Sequence, residues 1–294
     1  MTIGLSVERL TTTQDFGLNS TYQTKSLIGR YSRNIYMHLR KSSEVLGKEH
    51  YRLLYQTELE KEAEWLRRGA AEKVNSIEML MSAHAIKPKS ILELGCGVGA
   101  VITECQRRGL AGKYMGVDYS PEAINYLRKH SQGIEPIQGD ITAPDFHLDE
   151  KFDVVVLSHV LEHLEDPAIF LGAMKSSVKF SYAVIEVPLE DLMASRMKSV
   201  LRDRTANKAG HVQFFTARTF EDLLNSNGFK IIDRRTYVPI LDVDTIRFVS
   251  DKDGLARHSY LFKIFMSNFL PTVLNPLWKR LYYAHHAVLC IKDS

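Results

Sequence analysis

Residues 91–99 read ILELGCGVG. An apolar run closes on Glu93, two positions before the first of three glycines at alternate positions, Gly95, Gly97 and Gly99, and a helix-like stretch follows at once. A strand, a tight turn and a helix start in that order present unpaired N–H groups and the positive end of a helix dipole to a ligand. Glycine in the turn lets the ligand come close to the backbone. Such a unit holds a nucleotide-like molecule. A dinucleotide loop would read G-x-G-x-x-G, whereas this pattern is Glu-x-Gly-x-Gly-x-Gly. A carboxylate at Glu93 repels a pyrophosphate and favours a cationic ligand.

S-adenosylmethionine meets that requirement, with an adenosine, a sulfonium, an ammonium group and a single carboxylate. Further chemistry-bearing residues stand where later strands are expected to end. Asp118 is placed to accept from both ribose hydroxyls, and Tyr119 beside it to contact the adenine. Asp140 can accept from the adenine amino group while Ile141 packs on the ring. Cys96 in the glycine turn and Ser158 at the fourth strand end complete the expected cofactor contacts. His159 and His163 follow Ser158, and His211 lies further along; each is a candidate base for an acceptor proton. If the helix after the fourth strand starts early, His159 and His163 share one of its faces.

The elements that position these residues alternate. Strands are expected at residues 90–94, 113–119, 134–141, 152–158, 182–187, 230–238 and 284–291. Helices are expected at 100–110, from Ser120 and Pro121 onward, at 166–179 and from Thr216 to Gly228. This predicts a doubly wound, seven-stranded, mostly parallel α/β sheet of Rossmann-like form. Ligands bind such sheets outside the carboxyl ends of the strands. Residues 1–84 form an N-terminal extension with one or two amphipathic helices at 43–85, read as a cap, and residues 85–294 form the main domain. Insertions at 189–212 and 240–283 are too long for ordinary loops and are read as further cap. Residues 269–283, rich in Phe, Leu, Val and Trp, are read as core packing in preference to a membrane contact.

The glycine turn, the stretch VVVLSHVLEHLEDP at 154–167 and GHVQFFTARTFEDLLNSNGF at 210–229 resemble class I S-adenosylmethionine-dependent methyltransferases. The resemblance is to the branch that holds the ubiquinone-biosynthesis O-methyltransferases and many small-molecule and sugar methyltransferases, and it covers residues 85–238. It implies S-adenosylmethionine as cofactor and direct in-line transfer of its methyl group to a small acceptor. Oxygen is favoured as acceptor atom over nitrogen or carbon. Glu162, His163 and His211 could bind a divalent metal, and some ubiquinone-pathway relatives carry a related acidic cluster and need such an ion. Here His159 replaces one acid of that cluster, so no metal is expected. A nicotinamide-dependent oxidoreductase is disfavoured by the glycine spacing. A non-catalytic S-adenosylmethionine-binding scaffold is disfavoured by the intact glycine turn and Asp118.

Charge and composition set further bounds. The chain has 294 residues and a net charge of +3, too mild to call for nucleic acid. The three cysteines, Cys96, Cys105 and Cys290, lack metal-ligand spacing and read as reduced thiols of a cytoplasmic protein. The beginning of the chain lacks the apolar core of a signal peptide, and no stretch is long enough to span a bilayer. Two segments are strongly basic: 25–41, and the run with Arg196, Lys198, Arg202, Arg204 and Lys208. Both belong to the expected cap, which points to an anionic or glycosidic acceptor held by arginine. A homodimer is compatible with these features.

Overall fold

The computed structural model describes residues 46–191, 209–239, 242–252, 264–265, 269–281 and 284–292. Its seven strands are β1 (Ser90–Leu94), β2 (Lys113–Asp118), β3 (Ile134–Gln138), β4 (Leu148–Ser158), β5 (Val178–Leu189), β6 (Phe229–Tyr237) and β7 (Ala284–Lys292). They form one sheet in the order β3-β2-β1-β4-β5-β7-β6. Neighbours among β1 to β5 pair in parallel, and β7 runs antiparallel to both β5 and β6. This is the expected doubly wound, mostly parallel sheet. The strand order reverses between β1 and β4, the position where such sheets open a ligand crevice.

The inner strands are apolar on both faces because helices cover both. In β1, Ile91 joins one buried cluster while Leu92 and Leu94 join another; in β4, Val154 and Val156 divide from Val155 and Leu157 in the same way. That division follows the two-residue period of a strand. Around the sheet lie α1 (Gly47–Ala83), α2 (Ala100–Arg107), α3 (Pro121–His130), α4 (Pro167–Ser177), α5 (Ala217–Ser226), α6 (Val243–Lys252), α7 (Leu270–Val273) and α8 (Asn275–Leu281). The Ser120 side chain caps α3 at Ala123, Asp166 caps α4 at Ile169, and Thr216 forms a capping box with Thr219 at α5. Each such cap contributes about 1 kcal/mol.

Helix α1 belongs to the same compact unit as the sheet, Val45–Ser294. Its C-terminal half packs Ala70, Val74, Ile77, Leu80 and Met81 against Ile91, Ile102 and Leu289. Its N-terminal half bends at Glu58 (φ −137°, ψ 30°). Before the bend Tyr55, and just after it Ala63, join Val98 of the glycine turn and Ala123 and Tyr126 of α3 in a smaller cluster.

Three expectations need correction. Val178 and Lys179 open β5 instead of closing α4, and β4 starts at Leu148, before Phe152. These early residues are held by strand pairing, Leu148 with Val178 and Lys151 with Lys179 across a register shift, which the polar run Asp149-Glu150-Lys151 conceals. Second, the apolar residues of the α7–α8 region are not core: Phe269 is 57% exposed, Val273 60% and Leu277 52%. Third, His159 and His163 share no helix. His159 has a left-handed φ of 58°, and only a three-residue 3-10 turn, Leu161–His163, follows. The basic residues at 25–41 and Arg196, Lys198, Arg202, Arg204 and Lys208 lie outside the described residues. Among the described residues no helix is long and apolar enough to cross a membrane.

Candidate active site

The glycine turn is fixed by steric need. Gly95 and Gly97 adopt φ of 71° and 53°, a left-handed conformation that disfavours side chains. A Cβ on Gly95 would stand 2.6 Å from Val160 Cγ2, and one on Gly97 would collide with the Tyr55 hydroxyl. The N–H groups of Gly95 and Cys96 donate to the Val117 carbonyl (2.8 and 2.9 Å). Asp118 ties the turn to β2: its Oδ2 accepts from Gly97 N at 2.8 Å and its Oδ1 from Ser120 N at 2.9 Å. A carboxylate has about four acceptor positions, so two remain for a ligand. Burial raises the Asp118 carboxyl above its ordinary range, against these hydrogen bonds. Glu93 accepts from Ile102 N in the first turn of α2 (2.9 Å), and burial pushes its carboxyl up to about 8.

A cavity of about 970 Å³, counted with its open mouth, lies against this turn. Of the expected cofactor residues, Glu93, Gly95, Cys96, Gly97, Asp118, Tyr119, Asp140, Ile141 and Ser158 all line it. Gly99 does not; it stands behind the turn, where a Cβ would run into Leu127. The Ser158 hydroxyl is buried and has no hydrogen-bond partner.

Sequence reasoning read the N-terminal helices as a cap but named no residue of α1 for this cavity. Lys48, Tyr51, Tyr55, Leu66 and Lys73 line it. Lys48 pairs with Asp140 Oδ2 and lies 4.9 Å from the centre of the Tyr119 ring. Tyr119 donates its hydroxyl proton to the Lys48 carbonyl at 2.6 Å. Asp140 Oδ1 accepts from Thr142 N (3.1 Å) and Thr142 Oγ1 (2.7 Å). The two residues expected to receive an adenine are thus both engaged by the first turn of α1.

The histidines fall into two groups on either side of Glu162. On one side His163 lines the cavity, with its ring edge-on to Tyr51 at 4.7 Å and 4.8 Å from the ring of His211. Its Nδ1 is 3.4 Å from the Gly210 carbonyl. Burial lowers His163 to about 4, so its imidazole is neutral at pH 7. His211 Nδ1 is 2.6 Å from Glu190 Oε2. A carboxylate oxygen facing a ring nitrogen at that distance accepts, so Nδ1 carries the proton and Nε2 keeps its lone pair. Burial lowers the pKa of His211, but the hydrogen bond and charge of Glu190 outweigh it and leave it raised. Glu190 follows β5 directly; its N–H and that of Asp191 both donate to the Phe215 carbonyl at 3.1 Å.

On the other side His159 Nε2 faces Glu186 Oε1 at 3.2 Å and His285 Nδ1 at 3.3 Å. Tyr237 donates to Glu186 Oε1 at 2.9 Å. The β5–β7–β6 register places these groups on one face: His285 is the direct partner of Tyr237, and Glu186 pairs with Ala287, two residues further on. Burial raises the Glu186 carboxyl, but His159 and His285 more than offset this and hold it well below the usual carboxylate range. Burial lowers His285 to about 4. Between the groups stands Glu162, fully buried. His159 Nδ1 is 3.1 Å and His163 Nε2 3.9 Å from its Oε1. Neither approach has hydrogen-bond geometry, and both Glu162 oxygens lack a hydrogen-bond partner. Burial pushes Glu162 up; the facing His159, His163 and His211 reverse this and hold it at about 2.

Glu186, Glu190, Tyr237 and His285 were not singled out from the sequence. A lone acid in the apolar strand AVIEVPL and paired histidines opening AHHAVL were the available signals.

The model of the family described as "Methyltransferase domain" matches residues 62–234. The ubiquinone biosynthesis O-methyltransferase of Hydrogenovibrio crunogenus is 30% identical over 123 residues, which are 38% of this chain and 48% of that protein. The mitochondrial one of Schizosaccharomyces pombe is 29% identical over 130 residues, 42% of this chain and 46% of that protein. The chain thus spans about half the length of these curated relatives. Among solved structures, the putative methyltransferase in complex with the Haloferax volcanii Trm112 activator has a TM-score of 0.53 at 12% identity, covering 85% of this chain and 100% of that one. A putative methyltransferase from Bacillus halodurans has a TM-score of 0.51 at 15% identity, covering 74% and 98%. Both share the fold.

Proposed function

This chain belongs to the methyltransferase domain family, whose class I members use S-adenosylmethionine, and we propose that it transfers the cofactor's methyl group to an oxygen of a small anionic or glycosidic acceptor. In this reading Asp118 accepts from the ribose hydroxyls with its two remaining lone pairs. Tyr119 and Ile141 flank the adenine, Asp140 accepts from its amino group, and Gly95 and Gly97 leave room for the ligand at the backbone. Helix α1 closes the cavity as a cap.

The observation that carries the choice of oxygen is the His211–Glu190 pair. An alcohol or phenol becomes a good nucleophile when its proton leaves, and a base positioned to take it contributes about 10²–10⁴-fold. Glu190 fixes the tautomer that leaves His211 Nε2 able to accept, the logic by which a carboxylate orients a catalytic histidine. The acceptor oxygen attacks the methyl carbon in line. The O–C bond forms as the C–S bond breaks, S-adenosylhomocysteine leaves, and the proton goes to His211 Nε2. His211 itself does not line the cavity; His163, neutral at pH 7, does, with its ring 4.8 Å from that of His211, so the acceptor must reach the base past His163. Alignment of the two reactants supplies the rest of the acceleration.

The anionic character of the acceptor is supported by Lys73 at the cavity and by the basic residues Arg196, Arg202 and Arg204 of the insertion. Transfer of isotope-labelled methyl from S-adenosylmethionine to a panel of small phenols, carboxylated phenols and glycosides tests the reading. Labelled methyl ethers from the carboxylated members, with an apparent KM that rises with salt, are expected. Label only on amines, or cofactor binding without turnover on any acceptor, would replace it by an N-methyltransferase or a binding scaffold.

A further inference from the structure

The group behind His159 is arranged in a way that hydrogen bonding alone does not explain. Glu186 Oε1, His159 Nε2 and His285 Nδ1 form a nearly equilateral triangle with sides of 3.2, 3.3 and 3.3 Å. The Tyr237 hydroxyl sits 2.9 Å from that oxygen and 3.1 Å from His285 Nδ1. If all three neighbours give their protons to Glu186 Oε1, the His159–His285 and Tyr237–His285 contacts are left with no proton between them. If a ring nitrogen accepts instead, that side of the triangle to the carboxylate sets lone pairs against one another. A neutral imidazole has one donor and one acceptor nitrogen, and a hydroxyl has one proton. No assignment serves every short contact.

A cation at the centre serves all three ligand atoms. For tetrahedral bonds of about 2.0–2.1 Å to nitrogen and oxygen, the ligand atoms stand about 3.3 Å apart. Two imidazoles and a carboxylate are the donor set of a borderline divalent transition ion. The surroundings agree. His159 turns its other nitrogen, Nδ1, to Glu162 Oε1 at 3.1 Å, and both Glu162 oxygens are buried without a hydrogen-bond partner. His159 is held there with a left-handed backbone, φ 58°, a conformation unusual for a residue with a side chain.

We propose that His159, Glu186 and His285 bind a divalent transition ion of the Zn²⁺ class, with Tyr237 hydrogen-bonded to the ligating carboxylate and the buried Glu162 carboxylate adding negative charge beside His159. The site is separate from the one the sequence suggested on Glu162, His163 and His211. In that group His163 Nε2 is 3.9 Å from Glu162 Oε1, and His211 Nδ1 is held by Glu190 at 2.6 Å. His159 also lines the cavity, so the ion stands at its wall. Any part it plays in activating an acceptor rests on the methyl-transfer reading; the binding itself does not.

The test uses the full chain, stripped with a chelator and titrated with Co²⁺ alone. One equivalent should bind, give the visible absorption of a low-coordinate Co²⁺ site, and be displaced by Zn²⁺. His285→Ala and Glu186→Gln should each abolish the absorption, and His163→Ala should retain it. Calorimetry with S-adenosylhomocysteine on every variant reports that it is folded and that the cofactor reading stands. Absence of Co²⁺ binding by the wild-type chain while S-adenosylhomocysteine still binds would overturn the proposal and leave methyl transfer intact. Absorption lost in His163→Ala and kept in His285→Ala would overturn it too, by moving the ion to the other cluster.

Discussion

His211 Nδ1 lies 2.6 Å from Glu190 Oε2, so the ring's second nitrogen is the one able to take a proton. The pair joins a residue that follows the fifth strand to one that closes the insertion behind it. The hydrogen bond and charge of Glu190 outweigh burial and raise the His211 pKa above its ordinary 6.5. Methylation of an alcohol or phenol should therefore rise with pH through a limb above the ordinary 6.5. His211→Ala should lower kcat by about 10²–10⁴-fold and flatten that limb. Glu190→Gln should move the limb to lower pH, because the carboxylate that raises the pKa is gone. A pH–rate profile on all three proteins checks this; an unchanged limb in His211→Ala assigns the base elsewhere.

Acid should weaken the fold in two stages. His163 is lowered from 6.5 to about 4 by burial. Between these values the unfolded chain takes up a proton that the folded chain refuses, so stability falls as pH drops from 6.5 to 4. It contributes on the order of 3 kcal/mol to that loss. Below pH 4.5, protonation of Glu162, held at about 2, removes more. His211 acts in the opposite sense: its contribution is full below 6.5 and is lost as pH rises through its raised folded value. Urea denaturation between pH 4 and 8 measures the sum. His163→Phe should shallow the first stage.

Lys48 should compete with the cofactor. Its pairing with Asp140 and its place by the Tyr119 ring hold the groups proposed to meet the adenine. Both partners are well exposed, 47% and 38%, and such pairs contribute about 0–1 kcal/mol. Lys48→Ala should therefore tighten S-adenosylhomocysteine binding by no more than about five-fold. Weakened binding would mean that Lys48 contacts the cofactor itself.

Gly97→Ala should damage both fold and binding. Its φ of 53° costs an alanine about 1–2 kcal/mol, and the new methyl group meets the Tyr55 hydroxyl. Tyr55→Phe in the same chain should recover part of the lost thermal stability, because it removes the oxygen in the way while the left-handed strain persists. No recovery would mean that strain alone accounts for the loss.

Much of this was legible in the sequence because it is local. The strands β1, β2 and β4, the Ser120-Pro121 and Thr216 helix starts and the glycine turn are written in adjacent residues. Asp118 could be found because it ends β2, and Asp140 because it stands two residues beyond the end of β3 at Gln138, both strands whose positions the alternation fixes. Glu186, Tyr237 and His285 come from three different strands and meet only through the β5–β7–β6 register; nothing near any one of them names the others. The β4 start was hidden for a related reason, since Asp149, Glu150 and Lys151 look like loop until Lys151 is paired with Lys179. His159 and His163 would share a helix face only if the helix after β4 started early. The left-handed turn at His159 sends them to opposite sides of Glu162, and a β-period or helix-period reading does not foresee it.

The cofactor cavity bears most of this account, and calorimetry of S-adenosylhomocysteine against the wild-type chain and Asp118→Ala tests it most directly. Asp118 already anchors Gly97 and Ser120 at 2.8 and 2.9 Å, and each hydrogen bond its charge makes to a ribose hydroxyl is worth about 1.5–3 kcal/mol. The wild type should bind one equivalent, NAD should not compete, and Asp118→Ala should lose at least ten-fold in affinity. No S-adenosylhomocysteine binding by the folded wild-type chain, or tighter binding of NAD, would contradict the account.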